Sequence, residues 1–563
     1  MSSGAAPVHA SGTSPLAPQL RCCGASGCRS AGAQALQAAL LQARDQLGGA
    51  AAAVTIRSVG CLRLCGRAPL VALDRPDQPG ALFAGLTPEQ APALLAFAAG
   101  LEDRTGADLA ERRIALDHPF FALQRPVVLE RCGLVDPESL DEALAQGAYA
   151  QLRRVLAECT PEQVREQVRR SGLRGRGGAG YPTGLKWDTV ALQPAGLRMV
   201  VCNADEGDPG AFMDRSVLES DPHRLIEGLA IAAYAVGAER GFVYVRAEYP
   251  LAIERLRLAL RQARARGLLG AAIAGSGFSL HLEVRVGAGA YVCGEETALL
   301  ASIEGRRGSP RPRPPFPAQV GLGGAPTLIN NVETLAAIPA ILREGGDWYA
   351  AMGTDGSRGT KVFALSGAVA RTGLVEVPMG TSLRTVVCTI GGGVPGGTGP
   401  DRGVKAVQTG GPSGGCIPAV HLDTPVDYES LRQLGSMMGS GGMVVMGEAT
   451  SMPAVARHFM RFSVKESCGK CVPCRAGTVQ LAALLDRFAE HRATLADLER
   501  LEQLCAMVQA TSLCGLGQAA PNPVLSTLRW FRAEYQAACR QPQRCEPVDA
   551  CLLPQARPLP EEG

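Results

Sequence analysis

Gly172-Leu-Arg-Gly-Arg-Gly-Gly-Ala-Gly180 sets five glycines in nine residues, and its reading decides the fold class. Inside it, Gly175-x-Gly177-x-x-Gly180 matches the dinucleotide fingerprint, which must follow a strand and open a helix. Here the helical run Pro161–Arg170 precedes it and Tyr181-Pro-Thr-Gly184 follows. An ordinary Rossmann turn is therefore not expected. What survives is physical: glycines expose backbone N–H groups, and Arg174, Arg176 and Lys186 add positive charge, a combination suited to phosphate. The competing reading is a flexible surface loop.

Outward from this segment, strands alternate with helices. Arg198–Cys202 reads as a strand running into Asn203-Ala-Asp-Glu-Gly-Asp208. Helix Leu225–Val236 precedes strand Gly241–Arg246, and helix Leu251–Ala265 precedes strand Leu280–Val286. A second glycine loop, Gly287–Gly294, and a helix from Glu295 follow. This alternation predicts parallel strands in an α/β sheet. Residues 20–100 read as a small α/β unit: a helix over Gly32–Leu47 opened by a cysteine pair, strands at Val54–Val59, Leu70–Leu73 and Ala81–Phe83, and a helix over Pro88–Ala99. Residues 357–422 are glycine-rich with short strands, Thr360–Leu365 and Gly403–Gln408. Val479–Arg492, Leu495–Ala510 and Val524–Cys539 carry apolar residues at helical spacing.

Composition excludes several classes. The chain has 563 residues, 46% of them hydrophobic and 19% charged, with a net charge of +3. It therefore lacks the concentrated basic face that nucleic acid needs. Leu225–Val245 is interrupted by Glu227, Glu239 and Arg240, so no membrane span is expected. Met1–Leu20 lacks the basic and apolar regions of a secretory signal. Isolated thiols such as Cys132, Cys159, Cys202, Cys293, Cys388 and Cys416 suit a reducing compartment, and the expected location is the cytoplasm. The seven histidines show no metal spacing.

Two cysteine sets carry chemistry. Cys468-x2-Cys471-x2-Cys474 with the distant Cys514 offers four thiolates to one center, and a consecutive triple favors [4Fe–4S] over zinc. Lys465, Lys470 and Arg475 would offset its charge. Cys23-x4-Cys28 with Cys61-x3-Cys65 fits a [2Fe–2S] site, although zinc gives similar spacings and Cys22 rivals Cys23. The tail cysteines Cys539, Cys545 and Cys551 lack a ferredoxin spacing. Asn203, Asp205, Glu206 and Asp208 follow a strand, where open α/β sheets bind ligands, and Glu295 and Glu296 lie similarly beyond another.

On these residues the chain resembles the NADH-oxidizing flavoprotein subunit of respiratory complex I and its soluble diaphorase relatives. The stretches that carry the resemblance are Gly172–Trp187, Asn203–Gly210, Gly287–Thr297, Pro314–Pro317, Asn330–Asn331 and Ser467–Arg475. Residues 20–100 resemble the thioredoxin-like [2Fe–2S] domain that soluble diaphorases carry fused, with Val59–Gly66 holding its second ligand pair. The resemblance implies an α/β multidomain chain with seven segments. They are a disordered lead-in (1–19), the thioredoxin-like domain (20–100), a connector (101–150), a Rossmann-like FMN/NAD domain (151–345), a ubiquitin-like β-grasp module (346–440), a helical [4Fe–4S] bundle (441–540) and a tail (541–563).

It further implies that Gly175, Gly177, Lys186, Asn203, Asp205, Tyr291, Gly294, Glu295, Asn330, Asn331 and Thr334 hold FMN. Glu206 and Glu296 would lie near flavin and nicotinamide as the catalytic pair. Tyr181 and Phe316 would stack on adenine with Arg313 beside them, and Asp208 would take the ribose hydroxyls. An acid there repels a 2′-phosphate, so NAD is preferred over NADP. Thr189 stands where some relatives have an aromatic. The implied activity is that of an NAD-dependent oxidoreductase: the diaphorase subunit of a soluble formate dehydrogenase. Its expected partners are a molybdenum- or tungsten-bearing subunit and a small thioredoxin-like [2Fe–2S] subunit. The alternatives are the equivalent subunit of an NAD-reducing hydrogenase and, from another class, a non-catalytic zinc scaffold.

Overall fold

The computed structural model describes residues 17–76, 78–101, 106–194 and 196–539; nearly all of the expected lead-in and tail, with Cys545 and Cys551, lie outside them. Five strands form the first sheet: β1 (Gln19–Cys23), β2 (Thr55–Val59), β3 (Leu70–Arg75), β4 (Gln78–Ala84) and β5 (Arg113–Ala115), in the order β2-β1-β3-β4-β5. β1 and β2 are parallel, so the chain must cross over between them, and helix Ala33–Leu47 does so. Its Leu36, Leu40 and Ala43 recur at helical spacing and bury against the sheet with Leu94 and Leu95 of helix Ala91–Ala98. Cys23 ends a strand rather than opening a helix, and β5 carries this sheet beyond the boundary expected at 100.

The second sheet is wholly parallel. β6 (Met199–Ala204), β7 (Arg240–Arg246), β8 (His281–Gly287) and β9 (Thr327–Asn331) lie in the order β8-β7-β6-β9. The chain adds β7 and β8 on one side of β6 and then returns to place β9 on the other. The crevice between β6 and β9 is thus a topological switch point, where α/β sheets take ligands. Cys202 pairs with Asn330 and Asn203 with Asn331 across it. Helices Pro222–Val236 and Val332–Glu344 cross over this sheet so closely that a Cβ on Gly228 would run into the carbonyl oxygen of Leu335.

A third sheet holds β10 (Thr360–Gly367), β11 (Gly373–Pro378), β12 (Val404–Thr409), β13 (Gly415–Pro418) and β14 (Gly442–Gly447), in the order β11-β10-β14-β12-β13. Its central strand β14 lies past the boundary expected at 440. Helices Met452–Glu466, Val472–Ala489, Leu495–Thr511 and Asn522–Ala537 then pack around Met460, Leu481, Leu485, Phe488, Leu501 and Tyr535. Among the described residues no helix is long and apolar enough to cross a membrane.

Gly228→Val tests the helix crossing. Its side chain must displace backbone, and overpacking of this kind costs about 1–3 kcal/mol; a urea-unfolding midpoint equal to wild type would refute the close contact.

Candidate functional site

The switch point gathers side chains from four strand ends. Asn203 Nδ2 donates to Gly294 O at 2.9 Å, and its Oδ1 accepts from Asp205 N at 3.1 Å. This ties the loop after β6 to the loop after β8. Asn330 Oδ1 accepts from the buried indole of Trp187 at 2.9 Å. Asn331 Nδ2 donates to Asp214 Oδ2 at 2.5 Å, while its Oδ1 accepts from Thr334 N at 3.3 Å and caps the following helix. The glycine segment lies on this edge: a Cβ on Gly177 would stand 3.0 Å from that of Asn331. Gly180 has φ +62°, and a Cβ there would meet the Tyr428 ring at 2.7 Å.

The two arginines of the segment do not do what their charge suggests. Arg176 is 1% exposed. Its guanidinium donates to Thr360 O at 3.1 Å, Arg358 O at 2.6 Å and Tyr349 OH at 3.1 Å. It locks the loop to the third sheet. Arg174 donates to Gly180 O and Gly356 O, pairs with Glu429 at 2.6 Å and lies over the Tyr428 ring. The expectation that both face a phosphate is corrected: long side chains beside a glycine loop found protein acceptors first. The amides of Gly175 and Arg176 are also engaged, with Tyr181 O and Thr334 Oγ1, both at 2.8 Å. Lys186 bonds Ile329 O at 3.1 Å and pairs with Glu296, whose other oxygen is 4.0 Å from Arg313.

The acids differ sharply in their satisfaction. Glu206 accepts from Asp214 N at 3.0 Å, Arg215 N at 3.1 Å and Tyr249 OH at 3.2 Å, so its carboxylate anchors the start of helix Met213–Ser220. Burial nevertheless pushes its pKa up. Glu295 caps helix Glu296–Ile303 through Thr297 N and Ala298 N, each at 2.9 Å. Asp208 accepts from Tyr291 OH at 2.7 Å and Ser440 Oγ at 2.6 Å. Asp205 is the exception. It is 7% exposed, and neither carboxylate oxygen has a partner; nor does Arg246 Nη1, 3.9 Å away. Burial raises the Asp205 pKa to about 7, with Arg246 opposing. An orphaned ion pair at a switch point fits a polar ligand that completes it. Tyr181 and Phe316 are 47% and 51% exposed, as ring-stacking residues awaiting a planar partner would be. Arg246, Tyr249 and Ser440 escaped the sequence reading because nothing local marks them.

The four C-terminal thiols ring a small cavity that Val292 and Pro310 also line. Cys471 immediately precedes helix Val472–Ala489, Cys474 sits in its first turn, and Cys514 immediately precedes Gly515–Ala519. Lys470 Nζ donates to Pro310 O at 2.6 Å and Arg307 to Cys468 O at 2.7 Å. Among the described residues no three His, Cys, Asp or Glu side chains converge on one point as a single ion demands. Val292 belongs to the loop Tyr291–Gly294 that Asn203 holds, and Tyr291 N donates to Glu466 Oε2 at 2.9 Å. The thiol cavity and the switch-point site therefore share a wall.

In the N-terminal unit, strand alternation separates the rivals. Cys22 faces the helix-packed core with Leu20, where burial lifts its thiol to about 12. Cys23 faces the other side, beside the thiols of Cys28 and Cys61, which lower its pKa. Cys61 and Cys65 sulfurs are 3.9 Å apart.

A glycine loop and a half-satisfied Asp205–Arg246 pair at a parallel switch point, sharing a wall with four thiols, fit a flavin- and iron–sulfur-binding oxidoreductase module. Residues 168–340 match the Nuo51 FMN-binding domain and residues 454–538 the NADH-ubiquinone oxidoreductase-F iron-sulfur binding region. The chain is 55% identical over 414 residues to the NADP-reducing hydrogenase subunit HndC of Solidesulfovibrio fructosivorans, covering 74% of this chain and 83% of that one. It is 46% identical over 420 residues to an NADH-quinone oxidoreductase subunit of Rhizobium meliloti, covering 75% and 99%. The crystal structure of an NAD+-reducing [NiFe]-hydrogenase in the H2-reduced state matches with a TM-score of 0.66 at 34% identity, covering 94% of this chain and 86% of that one. The chain belongs to the family of complex I 51K flavoprotein subunits. It is an NADH-dehydrogenase or diaphorase-type subunit that binds FMN and a [4Fe–4S] cluster, with NAD as substrate.

Folding raises the Asp205 pKa from 3.8 to about 7, so the native apo-protein keeps a proton that the unfolded chain releases. The stability this supplies below pH ~4 is lost as pH rises to about 7, up to about 4 kcal/mol. Asp205→Asn should flatten that slope. Urea midpoints at pH 4.5 and 7.5 measure it, and equal slopes in the two proteins would sink the assignment.

Proposed function

We propose that this chain is the NAD(H)-reacting subunit of a soluble, cytoplasmic multi-subunit oxidoreductase. The observation that carries this is the orphaned Asp205–Arg246 pair at the β6/β9 crevice, one loop away from the Cys468–Cys471–Cys474–Cys514 cavity. FMN held here would supply the conversion between the electron pair of a hydride and single electrons. The chain's part is to hold and orient. Asn203, Asn330 and Asn331 shape the pocket floor, Gly177 lets backbone approach, and Lys186 with Glu296 sets charge at its mouth. Tyr181 and Phe316 offer faces for adenine. Glu206 supports this arrangement from below, as an anchor of helix Met213–Ser220.

Cys23, Cys28, Cys61 and Cys65 hold a [2Fe–2S] cluster in this reading, supported by the nearness of Cys23 to Cys28 and Cys61, by the Cys61–Cys65 contact and by the exclusion of Cys22 to the opposite face. The mixed sheet around them suits the thioredoxin-like domain of residues 20–100, with β5 added. The third sheet suits a β-grasp module that runs on through β14.

The formate-linked parent rests on resemblance alone. Hydrogenase subunits as partners are favored by the likeness to the NAD+-reducing hydrogenase, which covers 94% of this chain and so reaches into residues 17–100, and by the likeness to HndC. Complexes isolated on a tag at this chain decide between them: hydrogen-dependent NAD+ reduction is expected, and formate-dependent reduction in its place would restore the first parent. A colorless, zinc-containing chain without flavin would end the oxidoreductase reading.

Nucleotide choice is the sharper test on the chain itself, since HndC is named for NADP. Asp208 opposes a 2′-phosphate by like charge. Asp208→Asn should raise kcat/KM for NADPH relative to NADH about tenfold, ~1.4 kcal/mol. An unchanged ratio in a dye-reduction assay would remove Asp208 from the ribose site.

A further inference from the structure

Helix Met213–Ser220 is held at its two ends by different units. Glu206 takes its first amides; its last two residues turn to the N-terminal unit. Glu219 and Ser220 are 2% and 0% exposed. Glu219 Oε2 accepts from Ser26 N at 2.9 Å and its Oε1 from Ser26 Oγ at 2.5 Å. Ser220 Oγ accepts from Cys61 N at 2.8 Å, and a Cβ on Gly60 would run into Ser220. Ser26 lies between Cys23 and Cys28, and Cys61 is a thiol of the second pair. One helix end thus grips both ligand loops.

The surrounding charges leave Glu219 weakly countered. Arg215 Nε stands 4.0 Å from Glu219 Oε1, at the edge of ion-pair range. Arg255 reaches only the Glu219 backbone oxygen, at 2.6 Å, and spends its remaining donors on Glu138 at 3.2 Å. Arg29 also leans to Glu138, at 3.6 Å, and to Gly24 O at 3.0 Å. Glu138, with its side chain 48% exposed, draws both cations toward solvent.

We propose that Glu219 is a positioning residue that docks the N-terminal cluster's ligand loop and holds that cluster at a low reduction potential. The inference rests on the [2Fe–2S] reading of Cys23, Cys28, Cys61 and Cys65. Its physical basis is electrostatic: reduction adds one electron, hence one negative charge, to the cluster. A buried carboxylate bonded to the residue between two ligands disfavors that charge in a medium that screens poorly. Hydrogen bonding and burial are the levers a protein has on such potentials.

The experiment is a redox titration of the intact, reconstituted chain followed by electron paramagnetic resonance, in wild type, Glu219→Gln and Glu219→Asp. Glu219→Gln keeps the shape and an acceptor but loses the charge. It should raise the N-terminal cluster's midpoint by a three- to tenfold change in its reduction equilibrium, about 28–59 mV for one electron. The [4Fe–4S] signal should stay where it is. Glu219→Asp, which keeps the charge, should remain near wild type even if the loop loosens.

An unmoved midpoint in Glu219→Gln, an equal shift in both clusters, or an equal shift in both variants overturns the proposal. A wild-type chain with the [4Fe–4S] signal but none from the N-terminal thiols removes the [2Fe–2S] reading, and the role of Glu219 with it. If Glu219→Gln does not accumulate, Glu219→Asp combined with Ser220→Ala carries the test. That pair keeps the charge while dropping the grip, and a raised midpoint in it would overturn an electrostatic cause.

Discussion

The parallel pairing of β6 with β9 is the constraint on which the site depends. Because Cys202 registers with Asn330 and Asn203 with Asn331, three amide side chains arrive at one sheet edge from segments over a hundred residues apart. A one-residue slip would turn each to the opposite face. The crossover helices secure the register. Gly228 lets helix Pro222–Val236 approach the Leu335 carbonyl, and Asn331 caps helix Val332–Glu344 as that helix leaves the site. One residue thus ends a strand, starts a helix and packs against the glycine segment.

Buried charge divides this molecule into finished and unfinished parts. Arg176 has carbonyl and phenol acceptors around it; Lys361 is paired with Glu333 and bonded to Val362 O; Arg131 meets Asp221 at 2.8 Å. Glu376 takes Val128 N and Leu129 N at 2.9 Å and Thr360 Oγ1 at 2.6 Å. Satisfied groups of this kind tie sheets and loops together. Asp205 is also buried, yet neither of its oxygens has a partner, and Arg246, which spends Nη2 on Glu248 and Gly289 O, leaves Nη1 unpaired toward it; a buried unpaired group is costly to maintain. That contrast, more than any motif, separates the scaffold from the site.

The cysteine sets show how much was legible in sequence. Spacing linked Cys468, Cys471 and Cys474, because a helix start and a short turn convert local intervals into local proximity, whereas Cys514 reaches them only through the packing of the helices. The same arithmetic stalled at Cys22 and Cys23. Adjacent residues on a strand point to opposite faces, and no spacing rule says which face holds the other thiols. Alternating strands and helices were readable wherever apolar periodicity was strong. β5, with three residues, and β9, hidden between a proline-rich stretch and a helix, were too short to stand out. The division at 440 failed because β14 enters the third sheet beside β10, a pairing set by contacts some eighty residues away in sequence.

The amino-acid order by itself determined most element types, the closely spaced cysteines within each thiol set and the acid-rich loop after β6, since each depends on neighbors within a few residues. Only the tertiary structure decided what the charged groups do. It turned Arg174 and Arg176 from phosphate ligands into struts, made Glu206 and Glu295 helix anchors, and left Asp205 facing Arg246 without partners. Whether a charge is free or engaged depends on which backbone carbonyls and amides fold around it. Those come from distant strands and helices that no local pattern can name.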